Sequence, residues 1–188
     1  YNNLIGGSAD LAPSTKTLMS GVESFQKDSY EGRNLHFGIR EHAMAGIGNG
    51  MVTHGGLRPY VATFFVFTDY LKPSLRLSSI SKLPLTYVMT HDSIGVGEDG
   101  PTHQPIEQLA MCRAQPNLYT FRPADTTETM AAWAVALSSK ETPTLLALTR
   151  QNLPQLEGSS KEALKGGYIV SKEQGTDYDG ILIASGSE

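Results

Sequence analysis

The 188-residue sequence contains a single cysteine, Cys112, so it can form neither an intrachain disulfide nor a cysteine-based zinc site. We expect a buried or idle thiol at this position. The chain also lacks any apolar run long enough to span a membrane, and no signal-peptide pattern opens it. A cytoplasmic protein that does not bind membranes is therefore the default expectation.

Positive charge is scarce as well. Lysine and arginine number 15 against 19 aspartates and glutamates, which gives a net charge of −4. The protein therefore has no broad basic surface to bind nucleic acid or an anionic membrane, and an anionic ligand would need a local cluster of donors. Hydrophobic residues make up 39% of the chain, which is ample for the core of a soluble domain.

The ends of the sequence predict a fragment of a longer chain. It starts at Tyr1 rather than methionine, and the apolar run 181–185 stops as a loop begins. The small polar stretch 157–165 is the best linker candidate. Residues 1–157 are thus predicted to form one domain, and residues 158–188 a linker and the truncated start of another.

Short β-type runs alternate with helical stretches, a pattern typical of an α/β fold. We expect three α/β/α layers around a mainly parallel sheet, in which ligands bind beyond the carboxyl ends of the strands. Pro73 lies inside one predicted helix and indicates a kink or a later helix start. The predicted strands cover residues 35–37, 59–64, 84–90, 118–121 and 144–149, and the predicted helices cover 41–54, 65–82, 106–113 and 126–138.

The loop after the predicted strand 84–90 is the most informative stretch. Residues 91–105 (HDSIGVGEDGPTHQP) contain two histidines, three acids and three glycines. Glycines let the backbone approach a ligand closely, so the loop favours a polar-ligand site. Its spacing matches no usual zinc or calcium signature. A solvated turn is the alternative.

Two further stretches have both a structural and a functional interpretation. Glu41 opens a helix of small residues, where an acid is favoured by the helix dipole whether or not it is catalytic. Phe64, Phe67 and Tyr70 are spaced three apart, so on a helix they would share one face. Core packing is the usual reason for such a stripe, and binding of a flat cofactor ring is the alternative.

In their order along the chain, these segments resemble transketolases over about residues 4–156. The long loop and the run that follows the last predicted strand are the most specific parts of the resemblance. The matching segments are GGSADL (6–11), FGIREHAM (37–44), TFFVFTDY (63–70), residues 91–105 and LTRQNLP (148–154).

The resemblance implies a pyrimidine-binding domain of the thiamine diphosphate enzymes. Glu41 corresponds to the acid that hydrogen-bonds a ring nitrogen of the aminopyrimidine, and Phe67, with Phe64 and Tyr70 around it, to the residues that stack on this ring. Asp10 is expected near the cofactor.

The other matches are implied to line a sugar channel. Ser14, His91 and Arg150 correspond to groups that bind the terminal phosphate of the substrate, and Asp99 to one that recognises a hydroxyl. His103 corresponds to a catalytic group near the reacting carbon. The resemblance assigns no role to the remaining histidines, His36, His42 and His54.

The implied reaction transfers a two-carbon ketol unit from a ketose phosphate to an aldose phosphate, in a homodimer that uses thiamine diphosphate and Mg²⁺. The family's Gly-Asp-Gly segment with a downstream Asn, which holds Mg²⁺ and the diphosphate, does not occur in this sequence. The chain alone is therefore expected to be inactive and to contain no metal site. Dihydroxyacetone synthase, deoxyxylulose-phosphate synthase and a non-catalytic interaction domain are the alternatives.

Overall fold

The computed structural model describes all 188 residues and contains a six-stranded, entirely parallel sheet with the strand order β2-β1-β3-β4-β6-β5. The α/β class and the parallel sheet predicted from the sequence are confirmed. The strands are β1 (Leu4–Ser8), β2 (Asn34–His36), β3 (Arg58–Phe64), β4 (Thr86–Thr90), β5 (Tyr119–Phe121) and β6 (Thr144–Ala147). The helices are α1 (Ala12–Thr15), α2 (Glu41–His54), α3 (Thr68–Ile80), α4 (Gln108–Ala114) and α5 (Thr126–Ser138).

Helices cover both faces of the sheet, so the expected three layers are present. Strand residues alternate between the faces, as the pleat requires. Val61, Tyr87 and Leu145 point to one face, where they form the main core with residues of α2, α3 and α4. Val88 follows Tyr87 and Leu146 follows Leu145, so both point to the other face, where they pack with residues of α5. None of the helices is both long and apolar enough to cross a membrane.

The helix after β3 differs in detail from its prediction. A 3₁₀ turn at Phe65–Phe67 comes first, and α3 begins at Thr68, later than expected. Pro73 still lies inside α3, where its ring nitrogen cannot donate the usual hydrogen bond to the carbonyl four residues earlier. Helix α2 matches its prediction to the residue.

Strand β1 was not among the predicted strands, because the sequence LIGGS contains two glycines, which are rare in strands. The structure explains them by close approach. A Cβ atom on Gly6 would lie 2.2 Å from the carbonyl oxygen of Tyr60 in β3, and one on Gly7 would lie 1.8 Å from that of Leu35 in β2. No side chain fits at either position, so β1 can occupy the middle of the sheet only with glycine there.

The apolar run 181–185 has the composition of a strand but does not form one in this structure. Residues 167–171 and 181–185 pair with no strand and remain irregular, and Leu182 and Ile183 are exposed. A strand needs a hydrogen-bonded neighbour, and no backbone hydrogen bond joins either run to a strand of the sheet. Part of the predicted linker, Lys161–Lys165, forms a 3₁₀ turn instead.

The strand order reverses between β1 and β3, because the chain leaves β1 for β2 on one side and returns to β3 on the other. In open parallel sheets, a crevice forms at the carboxyl ends of the strands where such a reversal occurs. The fold therefore predicts a ligand site beside the segments that follow Ser8 in β1 and Phe64 in β3.

Candidate functional site

Every candidate residue lies at, or soon after, the carboxyl end of a strand. Because all strands are parallel, these ends share one edge of the sheet. The candidates are Asp10 and Ser14 after β1, Glu41 after β2, Phe64, Phe67 and Tyr70 from the end of β3 onward, His91, Asp99 and His103 after β4, and Arg150 after β6.

The three aromatic residues form a continuous stack. Ring centroids of Phe64 and Phe67 are 6.1 Å apart with 6° between their planes, and those of Phe67 and Tyr70 are 5.7 Å apart at 20°. The spacing alone suggested one face of an α-helix, but the three residues lie in three elements. Phe64 ends β3, Phe67 ends the 3₁₀ turn and Tyr70 lies in α3. They align because the intervening 3₁₀ turn repeats every three residues. Tyr70, at the outer end, is 62% exposed and offers a flat open surface.

His91 packs against the inner end of this stack. Its ring is nearly parallel to that of Phe64, with 3.7 Å between centroids and 22° between planes, and its Nδ1 lies 3.0 Å from the hydroxyl of Thr90. Burial lowers the pKa of His91 below the ordinary 6.5, opposed by the nearby Asp99 carboxylate. At neutral pH the imidazole of His91 is therefore uncharged and can donate only one hydrogen bond.

The loop that carries Asp99 also lies against the segment after β6. A Cβ atom on Gly97 would lie 3.8 Å from a guanidinium nitrogen of Arg150. Asp99 and Arg150 are both close enough to His91 to influence its pKa, in opposite directions. The two segments therefore bring one negatively charged and one positively charged side chain to the same imidazole.

His103 approaches the stack edge-on from the end of the same loop. Its ring centroid is 5.3 Å from that of Phe67 at 72°, and 6.1 Å from that of Phe64 at 67°. Its Nδ1 lies 2.9 Å from the hydroxyl of Thr102, and the ring is partly exposed. The structure thus unites His91 and His103 around one aromatic cluster, although 12 positions separate them in the sequence.

Glu41 is the first residue of α2 and is buried, with 7% of its surface exposed. None of the four ion pairs in the chain includes it. The start of α2 is fixed beside α3 by Ser74, whose hydroxyl donates to the backbone oxygen of His42 at 3.1 Å. The position therefore holds an acid that no basic group neutralises, close to the helix that carries Tyr70.

Asp10 and Ser14 lie at the same edge of the sheet but are exposed. Asp10 adopts a left-handed backbone conformation (φ 63°) in the turn between β1 and α1. No side-chain hydrogen bond or ion pair joins either residue to the aromatic cluster. The structure therefore brings together the aromatic residues, His91, His103, Asp99 and Arg150, whereas Asp10 and Ser14 share only the same edge of the sheet with them.

Other titratable side chains are accounted for by local structure. Cys112 is buried in the core, which raises the pKa of its thiol to about 12 and agrees with the expected idle cysteine. Each of the three histidines without an implied role has one local contact: His36 with the Ser24 hydroxyl, His42 with Ser74 and His54 with the backbone of Gly55.

One polar pair at this edge is not predicted from the sequence. Arg122 follows β5 and donates from Nε to Oδ2 of Asp92 at 2.7 Å, directly beside His91. From the sequence, Asp92 is only one of the three acids of the loop 91–105. The signal was available for Arg122, because it directly follows a predicted strand, as several other candidates do.

Comparison with known proteins identifies the family. Residues 1–155 match the family model described as "Transketolase, pyrimidine binding domain". The transketolase of Bacillus subtilis is 56% identical over 98% of this chain, and the chloroplastic transketolase of Solanum tuberosum is 58% identical over 98%. The crystal structure of Pichia stipitis transketolase in complex with sedoheptulose-7-phosphate superimposes on 92% of the chain with a TM-score of 0.89 and 52% identity.

These matches cover only part of each relative. The chain spans 28% of the Bacillus subtilis protein, 25% of the Solanum tuberosum protein and 26% of the Pichia stipitis chain. Because the relatives are named transketolases, they do not favour dihydroxyacetone synthase, deoxyxylulose-phosphate synthase or a non-catalytic module. The chain belongs to the transketolase family and corresponds to its pyrimidine-binding domain.

Proposed function

We propose that the chain forms the pyrimidine-binding half of an active site that transfers a two-carbon ketol unit from a ketose phosphate to an aldose phosphate. The observation that carries the proposal is the stack of Phe64, Phe67 and Tyr70 with both loop histidines against it, within a domain of the matching family. Flat rings favour a flat ligand, and imidazoles can bind or exchange protons beside it.

The residues fit thiamine diphosphate. The open face of the aromatic stack suits an aminopyrimidine ring, and the buried, unpaired carboxyl of Glu41 suits a ring nitrogen that gains or loses a proton. When bound, the cofactor supplies the electron sink that allows carbon–carbon bonds next to a carbonyl to break and form. Glu41 holds the proton at the ring nitrogen, and Phe67 with its stacked neighbours fixes the ring's orientation. Asp10 contributes to binding the cofactor from the turn after β1.

The polar groups around His91 bind the sugar phosphate. Arg150 presents a guanidinium whose planar fork suits phosphate oxygens, and the neutral His91 adds a hydrogen-bond donor. Ser14 adds a further donor from α1, at the same edge of the sheet. Asp99 accepts a hydrogen bond from a substrate hydroxyl. His103, which contacts both phenyl rings edge-on, lies where it can bond the oxygen at the reacting carbon or move its proton.

The remaining parts of the site come from outside this chain. Mg²⁺ and the diphosphate are held by another domain of the longer protein, and the site is completed in a homodimer. Such an interface would cover large apolar side chains that are exposed on, or next to, the segments that carry the site residues: Ile39, Ile47, Tyr70 and Ile106. We assign residues 1–157 to the pyrimidine-binding domain and 158–188 to a linker and the start of the next domain.

A cytoplasmic location stays a prediction, to be checked by cell fractionation, since one relative is chloroplastic.

Ketol transfer by the full-length protein tests the proposal. Removing the acid with Glu41→Ala should lower kcat by about 10²- to 10⁴-fold, the range of general acid–base catalysis. Glu31→Ala, which removes an exposed acid from a loop, should leave kcat unchanged. Near-normal turnover of Glu41→Ala would overturn the assigned role. The 188-residue chain on its own should show no activity.

A further inference from the structure

The carboxylate of Asp92 is almost completely buried and depends on a single partner. Only 1% of its side chain is exposed, against 13% for Arg122, whose Nε donates to Oδ2 at 2.7 Å. The other oxygen, Oδ1, has no hydrogen-bond partner. A buried charge that loses its only counter-ion is strongly destabilised, so any change at Arg122 must displace or neutralise Asp92.

The Asp92–Arg122 pair spans three strands. Asp92 follows β4 and Arg122 follows β5, while β6 lies between these strands in the sheet. The backbone N–H of Asp92 also donates to the carbonyl of Leu148, just beyond the end of β6. Asp92 is therefore held from two directions, through its side chain and through its backbone.

His91, the residue before Asp92, has an uncommon backbone conformation. Its φ of 59° lies in the left-handed region, which costs free energy for a residue with a side chain. Such a conformation persists only where the flanking structure imposes it. On one side, Thr90 ends β4 in register with Phe64. On the other side, Asp92 is held by Arg122 and Leu148, so the imidazole is directed onto the Phe64 ring.

We propose that Arg122 is a positioning residue which, through Asp92, keeps His91 in this conformation and thereby sets the affinity for the phosphate end of the substrate. The inference rests on the proposed function, in which His91 contacts that phosphate. Arg122 itself acts from behind His91, through the buried carboxylate. Arg122 also contacts the Ser185 carbonyl and the Glu188 carboxylate, which do not touch His91. Removing the Glu188 contact is therefore a control for loss of an Arg122 partner other than Asp92.

The test uses the full-length protein and measures kcat and KM with a ketose phosphate and with the same ketose lacking its phosphate. Arg122→Met should raise KM for the phosphorylated sugar by about tenfold, while kcat and KM for the unphosphorylated sugar change less than about twofold. Glu188→Ala, which removes the other acidic partner of Arg122, should change neither KM. A variant that weakens catalysis equally with both sugars would overturn the inference and indicate a merely structural pair.

Coupling to His91 provides the second measurement. Asparagine tolerates the left-handed conformation, so His91→Asn removes the imidazole without adding backbone strain. Combining His91→Asn with Arg122→Met should raise KM for the phosphorylated sugar no further than the larger of the two single effects. Additive effects would contradict the inference. If Arg122→Met does not fold, Arg122→Lys and the isosteric Asp92→Asn allow the same comparison. If His91→Asn leaves KM for the phosphorylated sugar unchanged, the proposed role of His91 fails. If His91→Asn raises that KM and the Arg122 variants do not, only the positioning inference fails.

Discussion

His91 lies almost flat on Phe64, with ring centroids 3.7 Å apart. The contact joins the last residue of β3 to the first residue after β4, two strands that are neighbours in the sheet. It continues the row of rings formed by Phe67 and Tyr70, so one imidazole and three aromatic rings form a single wall at the carboxyl edge of the sheet. This wall is the structural basis of the predicted ligand site.

The stability of the protein should depend on pH through His91. Burial lowers the pKa of His91 below 6.5, so in the acidic range the unfolded chain binds a proton that the folded chain does not. Stability is therefore retained above about pH 6.5 and lost as the pH falls below it. Urea unfolding of His91→Asn at several pH values should give a flatter dependence on pH than unfolding of the wild type. An unchanged slope in His91→Asn would count against this burial.

Replacing Gly7 by alanine should destabilise the sheet. The new Cβ would lie 1.8 Å from the backbone oxygen of Leu35, which cannot move without breaking the pairing of β1 and β2. We expect a loss of about 1–3 kcal/mol in the free energy of unfolding. Gly50→Ala is the matched control, because Gly50 lies inside α2 with open space around it and should gain about 0.5–1 kcal/mol. Equal effects would show that the close approach is unimportant.

Asp125 should fasten residues 155–159 to α5. Its carboxylate accepts from the backbone N–H of Glu128 at 2.9 Å, from that of Leu156 at 3.1 Å and from the hydroxyl of Ser159 at 3.0 Å. Asp125→Ala therefore loses a helix cap and leaves partly buried donors unpaired, which should cost about 1–3 kcal/mol. Hydrogen exchange at the Leu156 amide should also accelerate. Asp177→Ala, at an exposed position, should change neither quantity.

Phe67 should contribute to cofactor affinity in the full-length protein. Because it is the central ring of the stack, Phe67→Leu should weaken thiamine diphosphate binding by about two- to tenfold, the range of one aromatic pair. Phe25→Leu is the control, since Phe25 packs edge-on with Tyr30, away from the stack. Equilibrium titration of both variants with the cofactor decides the matter. Unchanged affinity in Phe67→Leu would favour a core-packing role for the stack.

Local sequence patterns were reliable where they were long and periodic. The small-residue run behind Glu41 predicted α2 to the residue, and the buried run after Pro84 predicted β4 closely. Strand β1 was missed because its glycines oppose strand propensity, and only the neighbouring strands show why they are required. The apolar run at 181–185 has strand propensity but no partner, so propensity alone was misleading.

The sequence by itself determined the family, the α/β class and the residues at the carboxyl ends of the strands, because each of these depends on local runs and ordered motifs. Tertiary structure decided which of those residues meet. His91 and His103 share one aromatic wall because a long loop folds back on β3, and Asp92 is held by Arg122 because β4 and β5 flank β6. Strand order and loop closure join residues far apart in the chain, and no local pattern encodes those distances.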